Sequence, residues 1–97
     1  MLFALNKSPM ATNSLGSVLE IAPEGSPILL YEDGVYGALR GSVTEAAVRK
    51  ALETHPVYAL EADLKARGID RLVDGVQPIG YDGFVQLVEE HDMVPWQ

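Results

Sequence analysis

The chain has 97 residues, of which 47% are hydrophobic, and this content is typical of one folded domain, expected over residues 1–97. It has no cysteine, which excludes a disulfide, a thiolate metal site, a cysteine nucleophile and a persulfide carried on this chain. Fourteen acidic residues against seven basic ones give a net charge of −7, which argues against direct binding to a nucleic acid backbone.

Short apolar runs of strand type alternate with helical patterns along the chain. Strands are predicted at 2–5, 28–31, 57–60, 76–79 and 93–96. The fourth is expected at an edge of the sheet because it contains Pro78. Strands that alternate with helices predict crossover connections. The expected fold is therefore a single three-layer α/β/α domain with a mostly parallel sheet of about five strands.

The first half of the chain contains three predicted helices. The first has an apolar stripe at Leu15, Val18 and Leu19. The second follows the acidic pair Glu32 and Asp33, and Asp33 is predicted as its N-cap. The third is expected to begin at a capping box formed by Ser42 and Glu45 and to bury Val43, Ala46, Ala47, Ala51 and Leu52.

Two further helices are predicted in the second half. In one, Glu61 and Lys65 are four residues apart in the order that favours an ion pair, and Gly68 is the expected left-handed residue after its last turn. The last helix is expected to be capped by Asp82. Its predicted core face is Phe84, Val85, Leu87 and Val88.

Polar residues follow the first two predicted strands directly. Asn6, Lys7 and Ser8 come after the first strand, and Glu32 and Asp33 come after the second. In a parallel sheet these positions share one edge, where ligands and partners commonly bind. Lys7 is therefore expected to pair with one of the two acidic residues or to contact a partner.

Other candidate sites have simpler explanations. His55 and His91 lack the spacing of a metal-ligand set and are predicted to lie at the surface, and a Ser8, His55 and Asp33 arrangement lacks a nucleophile elbow. No dinucleotide or phosphate-binding motif is present, so neither a cofactor nor a metal is expected. Trp96 is expected either to dock with the fifth strand on the sheet or to contact a second subunit.

The apolar run at 1–5 is too short for the core of a signal peptide, and no segment has the length of a transmembrane helix. The lack of cysteine is in keeping with a reducing compartment. We therefore expect a cytoplasmic protein without a membrane partner.

Five segments carry a family resemblance. They are MLFALNKSP at the start, EDGVYGAL from Glu32, VYALEADLKARGI from Val57, YDGFV from Tyr81, and Trp96. Together they cover nearly the whole chain, which resembles the DsrH/TusB family of small sulfur-relay subunits. The resemblance implies a DsrEFH-like fold and assembly with two homologous small α/β subunits, DsrE/TusD-like and DsrF/TusC-like, in a heterohexamer. It also implies a role in tRNA wobble-uridine 2-thiolation or in sulfur oxidation.

One departure from the family bears on activity. Some members place a cysteine in the first helix after an Asn-Ser-Leu motif, and here Val18 occupies that position. The chain is therefore predicted to be a structural or docking subunit rather than a catalytic one. Partner contacts are expected at Asn6, Lys7, Ser8, Glu32, Asp33, Gly34 and Trp96, and the resemblance strengthens this expectation for the Asn-Lys-Ser-Pro segment that begins at Asn6. The segment from Gly41 to His55 inclines the assignment slightly toward the sulfur-oxidation branch.

Two alternatives belong to other functional classes. One is a stand-alone binding module that forms homo-oligomers, which a small core and an apolar C-terminal segment favour. The other is a small enzyme that uses Lys7, Glu32 and Asp33 for acid–base chemistry.

Overall fold

The computed structural model describes residues 1–8 and 13–96. In chain order the elements are β1 (Leu2–Leu5), α1 (Ser14–Ile21), β2 (Ile28–Leu30), a 3₁₀ helix (Glu32–Ala38), α2 (Glu45–Leu52), β3 (Val57–Leu60), α3 (Glu61–Ala66), β4 (Gln77–Ile79), α4 (Tyr81–Glu90) and β5 (Met93–Trp96). The predicted strands are confirmed to within one residue. No helix in the described ranges is both long enough and apolar enough to span a membrane.

The strands form one sheet in the order β4-β3-β2-β1-β5, and all four pairings are parallel. The predicted edge position of the strand with Pro78 is confirmed, and the opposite edge strand contains Pro95. Proline lacks the N–H group that a further strand needs for pairing, so it is tolerated at sheet edges.

The helices cover the two faces of the sheet unequally. The larger core cluster joins β1, β2 and β3 to α1, α2, α3 and the 3₁₀ helix. On the other face, α4 supplies Leu87 and Phe84 against Leu2 and Leu29. The chain progresses from β1 to β4 in one direction and then returns past β1 to form β5. A right-handed return connection must cross the opposite face, which explains why α4 lies there. The three-layer fold is therefore confirmed, with one thin layer.

The buried face of α2 differs from the prediction. Helix α2 begins at Glu45, so Val43 lies in the preceding turn and is 86% exposed. Ala46 and Ala47 also point outward, whereas Val48 and Ala51 form the buried side. The prediction of a capping box between Ser42 and Glu45 is wrong. Glu45 Oε1 instead accepts from the Gly41 N–H at 2.7 Å. The later start rotates the face that meets the core.

Helix α4 is a second correction. Leu87 is buried and Phe84 packs beside it, but Val85 is 50% exposed and Val88 is 39% exposed. Apolar residues at 84, 85, 87 and 88 fit more than one helix face, so their pattern leaves the rotation of the helix undetermined. The first residue outside the helix is Gly80, and Asp82 lies within the first turn instead of capping it.

The histidine prediction is wrong for His55, which is 5% exposed. Its Nδ1 lies 2.9 Å from the Ser26 carbonyl oxygen. Because a carbonyl only accepts hydrogen bonds, Nδ1 carries the proton and donates it. His55 thus joins the end of α2 to the loop before β2, while His91 is half-buried.

The signals around α3 are confirmed. Lys65 Nζ lies 3.3 Å from Glu61 Oε1, and Gly68 has a φ of +67°. The Ile69 N–H then donates to the Leu64 carbonyl at 2.9 Å, and Ile69 is buried. These contacts give the helix the glycine ending expected from sequence.

Candidate functional site

The candidate site is the corner where β1 and β2 end side by side. The two strands pair Leu5 with Leu30, and the Tyr31 N–H donates to the Leu5 carbonyl at 3.0 Å. The residues that follow the strands therefore lie at one edge of the sheet, as predicted. Asn6 is half-buried and Lys7 is exposed. We call this region, residues 6–8 and 32–34, the strand-end corner.

Gly34 joins the two halves of the strand-end corner. Its N–H donates to the Tyr31 carbonyl at 2.9 Å, and the residue is buried. A Cβ atom placed on Gly34 would collide with the carbonyl oxygen of Leu5. The start of the 3₁₀ helix thus approaches the end of β1 more closely than any residue with a side chain allows.

Glu32 has an unusual backbone conformation for a residue with a side chain, with a φ of +48°. Its N–H donates to Asp63 Oδ2 at 2.7 Å, and its own side chain is exposed. The left-handed conformation costs roughly 1–2 kcal/mol for an L-residue. Asp63, in the first turn of α3, provides the contact that holds it.

Asp33 is not the predicted N-cap. The 3₁₀ helix shows no side-chain cap. The Asp33 carboxylate instead accepts hydrogen bonds from Arg67, from Nε at 3.0 Å and from a terminal nitrogen at 2.9 Å. The other terminal nitrogen of Arg67 donates to the Asp63 carbonyl at 3.3 Å. Arg67 therefore connects the strand-end corner to α3. No ion pair joins Lys7 to Glu32 or Asp33 among the described residues.

Tyr31 stands between the strand-end corner and the α4 face. Partial burial, and secondarily the negative charge of Glu32, raise the pKa of the Tyr31 hydroxyl. Its ring packs at the margin of the core under α4. The raised pKa keeps the Tyr31 hydroxyl in its neutral form near neutral pH.

The strand-end corner presents the exposed charged side chains Lys7, Glu32 and Asp33. A cavity beside it, lined by Leu5, Lys7 and Gly37 among others, has about 10 Å³, which is close to the minimum for one water molecule. His55 bonds to Ser26 at the amino end of β2, the end of the sheet away from Ser8 and Asp33. The described residues contain no group of three or more His, Asp or Glu that could hold a metal.

Trp96 docks on the sheet as the last residue of β5, opposite Leu5. Its ring meets Phe3 edge to face, with centroids 6.0 Å apart. The strand-docking prediction is confirmed, and this register places Trp96 at the same end of the sheet as the strand-end corner. A subunit contact at Trp96 stays a prediction.

Val18 lies in the middle of α1 with its side chain completely buried in the larger core cluster. A cysteine at this position would be enclosed by apolar side chains, which suppress thiolate formation. The position is therefore structural in this chain.

Sequence reasoning missed Arg67 and Asp63. Arg67 lies 34 positions from Asp33, and no local spacing connects the two. The available signal was the Asp63 and Arg67 pair, four residues apart on one helix, which indicates a local ion pair but not its neighbour across the fold.

Comparisons with known proteins agree with one another over nearly the whole chain. The family model for DsrH like protein matches residues 7–94. Protein TusB of Escherichia coli O1:K1 / APEC is 38% identical over 92 residues, which is 94% of each chain.

Solved structures resemble the whole fold. The ychN protein from E. coli has a TM-score of 0.76 at 20% identity, over 97% of this chain and 95% of that one. MTH1491 from Methanobacterium thermoautotrophicum, a protein of unknown function, has a TM-score of 0.73 at 18% identity, over 97% of this chain and 96% of that one. At these identities the two likenesses establish the fold alone.

Proposed function

Because this chain belongs to the DsrH/TusB family, we propose that it is a docking subunit of a cytoplasmic sulfur-relay complex. Family membership supports a sulfur-relay role in tRNA thiolation. The observation that carries the docking role is the absence of cysteine, because sulfane sulfur is held and transferred by a thiolate.

Sulfur then moves between cysteines of other chains. The thiolate of the accepting chain attacks the outer sulfur of the donor persulfide, the S–S bond breaks, and the donor thiolate leaves. This chain takes no part in those bonds. It holds two homologous small α/β subunits, DsrE/TusD-like and DsrF/TusC-like, in a heterohexamer.

The strand-end corner is the proposed contact with one of these subunits. Parallel α/β sheets present ligands and partners at this edge. The Arg67 ion pair orients the Asp33 carboxylate, and the Asp63 contact holds the backbone at Glu32, which lowers the cost of ordering these residues on binding. The proposed contact residues are Asn6, Lys7, Ser8, Glu32, Asp33, Gly34 and Trp96, with Gly34 acting through the shape of the backbone.

The two pathway assignments differ in their support. Likeness to proteins named TusB favours tRNA wobble-uridine 2-thiolation. The segment from Gly41 to His55 was the reason to consider sulfur oxidation, and it forms a turn and α2, which pack on the larger core. That packing gives no reason to prefer oxidation, so thiolation is the proposed pathway.

Native mass spectrometry of the protein purified from its host tests this proposal. We expect equal amounts of two further small chains, at least one with a reactive cysteine. A sulfane-sulfur donor should add one sulfur to a sister chain and leave this chain unchanged. Sulfur transfer by this chain alone contradicts the proposal. Recovery of this chain only with itself favours the homo-oligomeric binding module instead.

A further inference from the structure

Helix α4 has a second apolar row that is only partly covered by the rest of the described chain. Tyr81, Val85 and Val88 are 64%, 50% and 39% exposed. Their spacing of four and then three residues places them in one row along the helix, beside the inward row of Phe84 and Leu87. We call the row Tyr81, Val85 and Val88 the α4 stripe.

The topology explains why the α4 stripe is uncovered. The described helices other than α4 contribute to the larger core on the opposite face of the sheet. One helix is too narrow to cover five strands, since helices pack about 10 Å apart. Met93, at the start of β5, is 37% exposed and is predicted by its register to point to the same face. The apolar surface therefore extends beyond the helix.

The same part of the chain is uniformly acidic. All seven basic residues lie at or before Arg71, so residues 72–97 contain no lysine or arginine. Asp82 and Glu89 lie three residues before and four residues after Val85, which makes them its neighbours on the helix surface. Both are exposed. The α4 stripe is therefore an apolar row with a negatively charged border.

The two outermost strands of the sheet are poorly suited to pairing with a strand of a partner. Each edge strand contains a proline, Pro78 in β4 and Pro95 in β5. Addition of a strand from a partner would meet a missing N–H donor on either side. A partner that meets this part of the chain is therefore expected to pack on the α4 face rather than to add a strand.

From these observations we infer that the α4 stripe docks a different protein chain, whose contacting surface is apolar and bordered by lysine and arginine. Charge complementarity selects this occupant. A second copy that met the stripe through its own stripe would place Asp82 and Glu89 against identical carboxylates, which repel. The inference rests on the proposed function, in which this chain holds other subunits, and it names the face that one of them occupies.

Substitutions at Val85 separate the apolar and the charged contributions. Val85→Lys removes the apolar contact and places a cation against a basic border, whereas Val85→Glu removes the contact and keeps the sign of the surface. We expect Val85→Lys to reduce recovery of the partner from the host by at least about tenfold and Val85→Glu to reduce it less. Val43→Lys is the matched control, because Val43 is 86% exposed and precedes α2, on the other side of the sheet.

Carbodiimide cross-linking of the purified complex identifies the occupant, because it joins carboxylates to amines in direct contact. Asp82 and Glu89 are expected to link to lysines of a non-identical chain. Circular dichroism checks that each variant is folded. Glu89→Lys, which leaves the stripe intact, replaces Val85→Lys if that variant does not fold, and it is expected to reduce recovery in the same direction.

Loss with the α4 variants, retention with Val43→Lys, and cross-links to a different chain together support the inference. If the complex forms normally with Val85→Lys or Glu89→Lys, the inference is overturned and the proposed function stands. Cross-links to Lys7, Lys50 or Lys65 of a second copy overturn the assigned occupant. If the wild-type protein is recovered without other chains, the proposed function fails, and the inference fails with it.

Discussion

Gly34 has no side chain because the carbonyl of Leu5 occupies the space where its Cβ would lie. This requirement is steric, since its φ is not in the left-handed region. Such a position is fixed by the approach of two segments rather than by local turn geometry. The residue is therefore needed to bring the 3₁₀ helix against β1 and to form the strand-end corner.

Gly34→Ala is expected to lower the free energy of unfolding by about 2–3 kcal/mol, because the backbone of β1 must shift. Equilibrium urea unfolding measures the change. Gly80→Ala is the control, since a Cβ there meets nothing within 4 Å, and it should cost less than about 1 kcal/mol. Equal effects of the two substitutions would show that the close approach to Leu5 is not the cause.

At position 18 both the residue type and its burial bear on sulfur transfer, because valine has no thiol and the position is enclosed. The Val18 side chain has no exposed surface and belongs to the larger core cluster. Restoring a thiol there would not restore access to a donor persulfide. The non-catalytic role proposed for this chain therefore rests on burial as well as on residue identity.

Val18→Cys should fold and should react with a thiol reagent at least about a hundredfold more slowly than Val43→Cys, because reaction needs local unfolding. Mass spectrometry of timed reactions with iodoacetamide measures both rates. Unfolding both variants in urea should remove the difference. Comparable rates in the native proteins would mean that position 18 is accessible and that a cysteine there could carry sulfur.

At the scale of elements, the junction before α2 depends on one carboxylate. Glu45 accepts from the Gly41 N–H at 2.7 Å and from Arg49 Nε at 2.9 Å. These two hydrogen bonds, the first to the main chain and the second to Arg49, lower the pKa of Glu45. A lowered pKa in the folded state stabilises the fold above the ordinary pKa of glutamate. This contribution is lost as the pH falls through the folded-state value.

Glu45→Gln should therefore be less stable than wild type near neutral pH, and the difference should shrink as the pH falls below the ordinary glutamate value. Urea unfolding at a series of pH values measures it. Glu61→Gln is the control, because Glu61 has the same spacing to a cation, Lys65, at 3.3 Å. Its effect should be smaller at neutral pH. If the difference in unfolding free energy between Glu45→Gln and wild type did not change with pH, the ionised Glu45 carboxylate would not be its cause.

Helix α4 illustrates how one element serves two surfaces. Leu87 packs on Leu2 and Leu29, while Val85 and Val88 remain exposed. The sequence pattern indicated an amphipathic helix, and that much is confirmed. Its rotation about its own axis depends on where β4 ends and β5 begins, which is a property of the sheet.

Across the whole molecule, charge is separated along the chain. The basic residues end at Arg71, and the last part of the chain contributes Asp74, Asp82, Glu89, Glu90 and Asp92. This separation places the acidic excess on α4 and the turns around it. Residues 72–97 thus contribute five acidic residues and no basic one to the net charge of −7.

Association through this face should weaken with salt. Raising ionic strength from about 0.05 M to about 0.5 M is expected to slow association of the complex by roughly tenfold. Surface plasmon resonance with the purified partner measures the rate. Glu89→Lys should reduce the salt dependence, whereas Glu53→Lys, an exposed acidic residue after α2, should leave it unchanged. A salt-independent rate would contradict charge-guided docking.

The sequence by itself determined the five strands, the parallel α/β class, the glycine ending of α3 and the family. These features depend on residues close together in the chain, where a strand alternates every two residues and a helix repeats every 3.6. The pairing of Asp33 with Arg67, the burial of His55 and the exposed row on α4 were decided by the tertiary structure. Each depends on which elements become neighbours in the fold. Asp33 and Arg67, for example, are 34 positions apart, and no local sequence pattern indicates that they form a pair.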